Sequence, residues 1–179
     1  MRANHRMTIT RHNTMTIPIR LAMSEPKSFI RRVTVSYKID GEPARLIQRL
    51  QHGMNAANLR KGDGKYVRSI ASVLDCVLDQ IAAQYAAEAQ SDSEADDDGL
   101  RSYQLQVAVM HPPTVIRPIT VCKQLHGLSG KTLQRLLAGV NDCDVRRLNG
   151  KPITSHNAVV KYLFEQVQAA LAGELVRLG

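Results

Sequence analysis

The chain has 179 residues, 44% of them hydrophobic but only 4% aromatic, with no Trp. That is about one domain's worth of sequence, and its core must come from Leu, Val, Ile and Ala, which suits small helical layers better than a large sandwich. The net charge is +8 although Glu88, Asp92, Glu94, Asp96, Asp97 and Asp98 share one run without a base, so the remainder is more basic than the total, the balance of a protein that meets a polyanion.

Residues 1–27 read as a basic, flexible arm with an MTIT/MTIP echo, part of which could be a leader upstream of the true start. Within it residues 15–22 can pair as a strand, which Pro18 confines to an edge. Residues 29–39, with RRVTVSYKI at their end, give the strongest strand: Val33, Val35, Tyr37 and Ile39 alternate with Arg32, Thr34, Ser36 and Lys38. Asp40 and Gly41 end it, and Pro43 opens a helix in which Leu46, Ile47, Leu50 and Met54 share a face. A basic, glycine-bearing loop, LRKGDGK, leads to a longer helix from Val67 to Ile81. Its apolar stripe is too wide for a single neighbour.

Residues 86–100 lack large apolar side chains over most of their length and read as an acidic, disordered spacer. Beyond them Tyr103, Leu105, Val107 and Val109 alternate with Ser102, Gln104, Gln106 and Ala108 in a second strand, stopped by His111, Pro112 and Pro113. An apolar helix ending at Leu125, a turn at Gly127, a helix over 131–140 and a basic turn over 144–151 follow. Thr154, Ser155 and Asn157 offer caps for a last helix with a stripe of Val159, Val160, Leu163, Phe164, Val167 and Leu171. The expected fold class is α+β and mostly helical: a short β-ribbon followed by helices, with a strand-helix-helix unit at 28–85 duplicated in order, though not in residue identity, at 101–179.

A strand with a polar outer face followed by two helices resembles the ribbon-helix-helix family of DNA-binding proteins over residues 29–85. The resemblance implies that two such strands pair into an antiparallel ribbon that enters the major groove of double-stranded DNA. It implies Arg32, Thr34, Ser36 and Lys38 as readers, with Lys65, Arg68 and Ser69 at a phosphate held by the second helix's N-terminus; Arg31, just before the strand, is expected to add a phosphate contact. The pairing partner is left open: a second copy in a homodimer, the strand over residues 103–109 in an intramolecular pseudo-dimer like the family's single-chain tandem members, with Gln104 and Gln106 as further readers, or the edge segment around Ile17. Such a protein would be a transcriptional repressor or an accessory factor in plasmid maintenance or transfer. The same alternation also fits a surface strand of an ordinary α+β domain.

ITVCKQLHGLSGKTLQRLLAG is similar to a helix-turn-helix, which implies Lys131, Thr132, Gln134 and Arg135 as groove-facing; a plain helical hairpin fits it as well. GLSGKT imitates the end of a phosphate-binding loop, but Leu125 stands at the first glycine position. The histidines have no ligand spacing and the three cysteines no C-x-x-C pair, so neither a metal nor any other cofactor is expected. No nucleophile motif is present, so no catalytic residue is assigned. No apolar run reaches the roughly 18 to 20 residues of a membrane span, and the expected setting is reduced, bacterial-type cytoplasm. The competing function is that of a non-enzymatic interaction subunit of a larger assembly, RNA-containing or not, docking through its C-terminal helix.

Overall fold

The computed structural model describes residues 14–90, 98–112 and 118–178. The element order is β1 Thr14–Leu21, β2 Arg32–Ile39, α1 Gly41–Ala56, α2 Ile70–Gln90, β3 Arg101–Ala108, β4 Ile119–His126, α3 Gly127–Asp142 and α4 His156–Leu178. The fold is α+β, with the helices accompanied by two separate two-stranded antiparallel sheets, β1 with β3 and β2 with β4. Each ribbon therefore takes one strand from each half of the chain. Neither half closes a sheet alone.

The registers show how deep the duplication runs. Ser36 faces Cys122 in one ribbon, and Pro18 faces Gln104 in the other. Both pairs are 86 residues apart, and so are Gly41 and Gly127, which open α1 and α3 with φ of 67° and 61°. In an antiparallel pair, facing residues that are also equivalent residues mark a twofold, so a pseudo-dyad passes through both ribbons. The same spacing relates Gln48-Arg49-Leu50 to Gln134-Arg135-Leu136, Gly53 to Gly139, Arg60 to Arg146, Gly64-Lys65 to Gly150-Lys151 and Ser69 to Ser155. The expectation of a repeat in order alone is thus corrected: residue identity repeats too, at a constant spacing of 86. The positive φ of Asn58 (58°) and Asp144 (50°) and the bridges Arg60 to Tyr66 and Arg146 to Pro152 follow the same rule.

Residues 119–126 form a strand, where the sequence suggests a helix. Ile119, Val121 and Leu125 are buried while Thr120, Cys122, Gln124 and His126 are exposed, a period of two that β2 stabilises by pairing along its whole length. A short apolar run does not separate strand from helix by itself, because the deciding partner lies far away in the chain. The helix-turn-helix reading fails here, as its first helix does not exist. The unit of the repeat is strand-strand-helix-helix, since residues 14–21 are also a full strand. Pro18 is tolerated there because each strand of a two-stranded ribbon keeps one side free of ladder hydrogen bonds.

Two of those free sides, on β3 and β2, are covered. On α2 the Gln80 amide accepts from Gln106 N–H at 2.7 Å and donates to Gln106 O at 3.0 Å, and Gln84 does the same to Gln104 at 2.8 and 2.7 Å. Two glutamines one helical turn apart thus stand in for a third strand on β3. On β2, Ser36 N–H donates to Asn157 Oδ1 at 2.8 Å, from the first turn of α4. Both ribbons turn their apolar faces onto one core that mixes the halves, including Ile17, Leu21, Tyr103 and Leu105 with Leu50, Leu74, Leu78 and Leu163. The apolar stripe of α4 belongs to that core. Helix α2 runs through Gln90, so the first part of the expected acidic spacer is helical. Glu88 there accepts from Arg101 (3.2 Å) and Tyr103 (3.3 Å), and Asp98 pairs with Arg20 at 2.9 Å. Asp92, Glu94, Asp96 and Asp97, like the arm over 1–13, lie outside the described residues.

Candidate nucleic-acid interface

The β2–β4 ribbon presents one continuous polar face. Arg32, Thr34, Ser36 and Lys38 are exposed on β2, opposite His126, Gln124, Cys122 and Thr120 in register. Every second residue points outward because the alternating Val33, Val35, Tyr37, Ile39, Ile119, Val121 and Leu125 are held in the core. At the end where β2 begins, Arg31, Arg32, Gln124, His126 and Gly127 line a polar depression.

Two equivalent basic loops abut this ribbon from opposite sides. The first, between α1 and α2, carries Arg60, Lys61, Lys65 and Arg68; the second, between α3 and α4, carries Arg146, Arg147 and Lys151. In each a glycine with positive φ, Gly64 at 83° and Gly150 at 79°, closes the turn before the lysine, a conformation that L side chains rarely adopt. Asp63 Oδ1 accepts Lys65 N–H at 2.9 Å, and Asn149 Oδ1 accepts Lys151 N–H at 3.0 Å. The hydrogen bond from Lys65 N–H, with Lys61 and Lys65 close by, holds the Asp63 carboxyl below its ordinary value. The Arg60 guanidinium lies 4.5 Å from the centre of the Tyr66 ring and that of Arg68 5.6 Å.

The loops are tied to the ribbon through α2 and α4. Lys123 of β4 and Lys61 of the first loop both pair with Asp75 of α2, the latter at 3.8 Å. Arg147 of the second loop pairs with Glu165 of α4 at 2.7 Å and shares a depression with Lys38. Both helices begin beside the ribbon on serine caps: Ser69 Oγ accepts Ser72 N–H at 3.2 Å and Ser155 Oγ accepts Ala158 N–H at 3.1 Å. The arrangement frames an outward strand pair with positive charge and helix N-termini on both flanks.

The structure thus gathers Arg32, Thr34, Ser36 and Lys38 on one ribbon, with Arg31 directly before its first strand, and places Lys65, Arg68 and Ser69 on the loop at one flank. Lys131, Gln134 and Arg135 do not join them and lie on α3 against the segment that joins β1 to β2. Gln134 is 5% exposed, and its amide accepts from Ile30 N–H at 2.7 Å and donates to Ile30 O at 2.9 Å. Arg135 pairs with Glu25 at 2.8 Å and stacks 5.2 Å from the centres of both Phe29 and Tyr85, while Lys131 lies 5.7 Å from Phe29. These three side chains fasten the segment joining β1 to β2. Gln104 and Gln106 lie on the other ribbon, whose outer face also carries Thr16, Pro18, Arg20 and Ser102.

Sequence reasoning missed Thr120, Gln124 and His126 as the second half of the ribbon's polar face, and Arg146, Arg147 and Lys151 as the second basic loop. The echo of Thr34-Val35 in Thr120-Val121 is the signal that could have found them. Among the described residues no group of His, Cys, Asp and Glu is placed to hold a metal ion, and no helix is long and apolar enough to cross a membrane. No protein-family model, curated protein or solved structure matches the chain.

Beneath the ribbon, Tyr37 is 3% exposed with its ring 6.4 Å from that of Phe164, and its hydroxyl meets no hydrogen-bond partner among the described residues. Burial, reinforced by the charge of Asp75, pushes its ionisation far above the ordinary tyrosine value, so the group stays neutral. Removing a buried unpaired hydroxyl while keeping the ring costs no hydrogen bond. Tyr37→Phe is therefore expected to match the parent or exceed it by up to about 1 kcal/mol in urea denaturation. A loss of more than about 1 kcal/mol would mean that the hydroxyl is bonded.

Proposed function

We propose that the protein binds double-stranded DNA through the β2–β4 ribbon and acts as a transcriptional repressor or as an accessory factor in plasmid maintenance or transfer. The observation that carries this reading is the polar outer face of the ribbon, centred on the pseudo-dyad and flanked by two equivalent basic loops. A two-stranded ribbon is narrow enough for the roughly 12 Å major groove, where each base pair presents a distinct pattern of donors and acceptors. Phosphates are met by Arg31 and by the loop residues Lys65, Arg68, Arg146 and Lys151, which supply affinity. Discrimination comes from Arg32, Thr34, Ser36 and Lys38 and from Thr120, Gln124 and His126. One chain contains both strands of the ribbon, so a pseudo-dimer, a monomer in solution, suffices for binding.

The test is binding to a selected duplex and to random DNA across a salt series. A steep fall of log affinity with log salt is expected, because each neutralised phosphate releases counterions. The pair Thr34→Ala with Lys38→Ala is expected to weaken selected DNA by about tenfold or more and random DNA by much less. Equal losses on both would remove the reading role of the ribbon, and no binding at about 50 mM salt would favour the interaction-subunit alternative.

A further inference from the structure

From the pseudo-dyad of the ribbon, and resting on the proposed DNA-binding role, we infer that the protein reads an imperfect palindrome whose two halves differ at one symmetric base position, through Lys38 on one side and Gln124 on the other.

The dyad passes between Ser36 and Cys122. Two residues from it along β2 stands Lys38, and two residues from it along β4 stands Gln124, its equivalent at the spacing of 86. Both side chains are exposed on the same face, and each is seated beside a threonine across the ribbon, Lys38 against Thr120 and Gln124 against Thr34. Those two threonines are themselves equivalent. The cross-strand neighbours of the two readers therefore match, while the readers do not.

Their chemistry differs in the way that separates purines. A lysine has only donors and suits the O6 and N7 acceptors of guanine. A glutamine amide has one donor and one acceptor and suits the N7 acceptor and N6 donor of adenine. Seen from the centre of the site, guanine is favoured on the Lys38 side and adenine at the mirror position on the Gln124 side. The asymmetry is reinforced farther out, where Arg32 has Pro118 as its equivalent and His126 has Asp40. The Gln124 end thus also carries the arginine and the histidine, and the Lys38 end an acid, so the chain has one orientation on its site. A homodimer with identical strands could not make this distinction.

The experiment selects binding sites from a pool of random duplexes with the full chain, with Gln124→Lys and with Lys38→Gln, and reads the base frequencies at the two mirror positions. The parent is expected to enrich a motif with guanine at one position and adenine at its mirror. Gln124→Lys is expected to shift the adenine position toward guanine by about fivefold or more in preference, giving a more symmetric motif, and Lys38→Gln to shift the other position toward adenine. Both substitutions lie on an exposed face, and the second checks the first. A symmetric motif from the parent, or motifs unchanged in both variants, overturns the inference while leaving DNA binding intact. Enrichment of no motif by the parent overturns the inference together with the reading role of the ribbon.

Discussion

Gly139→Ala is expected to destabilise the protein by about 2 kcal/mol or more, against the direction that helix propensity alone predicts. Inside a helix, alanine is favoured over glycine by about 1 kcal/mol. A Cβ built on Gly139 of α3, however, would lie 2.2 Å from Ala22 O and 2.6 Å from Met23 N, closer than such atoms approach. The obstacle is backbone at the end of β1, which is itself anchored because Ser24 N–H donates to Arg135 O at 3.1 Å. It cannot rotate away as a side chain could. Overpacking of this kind costs about 1 to 3 kcal/mol, and here helix and strand would have to part along a backbone seam. The equivalent contact exists across the dyad: a Cβ on Gly53 of α1 would lie 2.5 Å from Ala108 O, beside the 3.1 Å hydrogen bond from Met110 N–H to Arg49 O. Gly53→Ala should therefore behave alike. Gly173 is the control, since a Cβ there meets nothing within 4 Å, and Gly173→Ala should raise stability by up to about 1 kcal/mol. Urea denaturation of the three variants decides the matter. Parental stability in Gly139→Ala would mean that the helix does not sit on the strand as closely as described.

These glycines illustrate what the sequence makes legible and what it hides. Strand β2 is plain because its period of two is carried by Val33, Val35, Tyr37 and Ile39 against a basic, hydroxylic series, and α4 is plain from its caps and stripe. Strand β4 is not, since Ile119, Val121 and Leu125 fit a short helix as well as a strand, and the choice is made by hydrogen bonds to β2 more than eighty residues earlier. The pairing of β1 with β3 is equally non-local, and Pro18 hides it further by disguising a complete strand as a fragment. Of the candidate site, the β2 face and the first basic loop can be read from local pattern. The other half requires the 86-residue spacing, whose strongest markers, Gly53 with Gly139 and Gly64 with Gly150, look like ordinary helix and turn glycines until the fold places them. Gln134 misleads for a related reason: on a helical wheel it stands out as polar, yet it is buried and holds Ile30 on both sides of its amide.

Lys65→Ala and Lys151→Ala are expected to weaken DNA binding equally on selected and random duplexes, and their effects are expected to add. The two residues are equivalent, each exposed at the tip of a basic loop directly after a positive-φ glycine, on opposite flanks of the β2–β4 ribbon. On double-stranded DNA the slope of log affinity against log salt changes by about 0.9 for each phosphate neutralised. Each single variant should therefore flatten the slope by about 0.9, and the double variant by about twice that, with no change in the selected motif. The two loops are not electrically identical: Asp63 and Arg68 of the first stand where the second has Asn149 and Thr154, while Asp144 of the second, 3.7 Å from Arg146, stands where the first has Asn58. With its carboxyl held ionised by Lys65 N–H, Asp63 offsets part of the positive charge of its loop at every pH near neutrality. Asp63→Asn is accordingly expected to tighten binding at low salt and to lose that gain as salt rises, since an exposed charge acts only within about 10 Å at 0.1 M ionic strength. A slope that responds to Lys65→Ala but not to Lys151→Ala would place the DNA against one flank only. The ribbon would then lie along the edge of the bound duplex and not between its phosphate walls, and the polar face of β4 would lose its part in recognition.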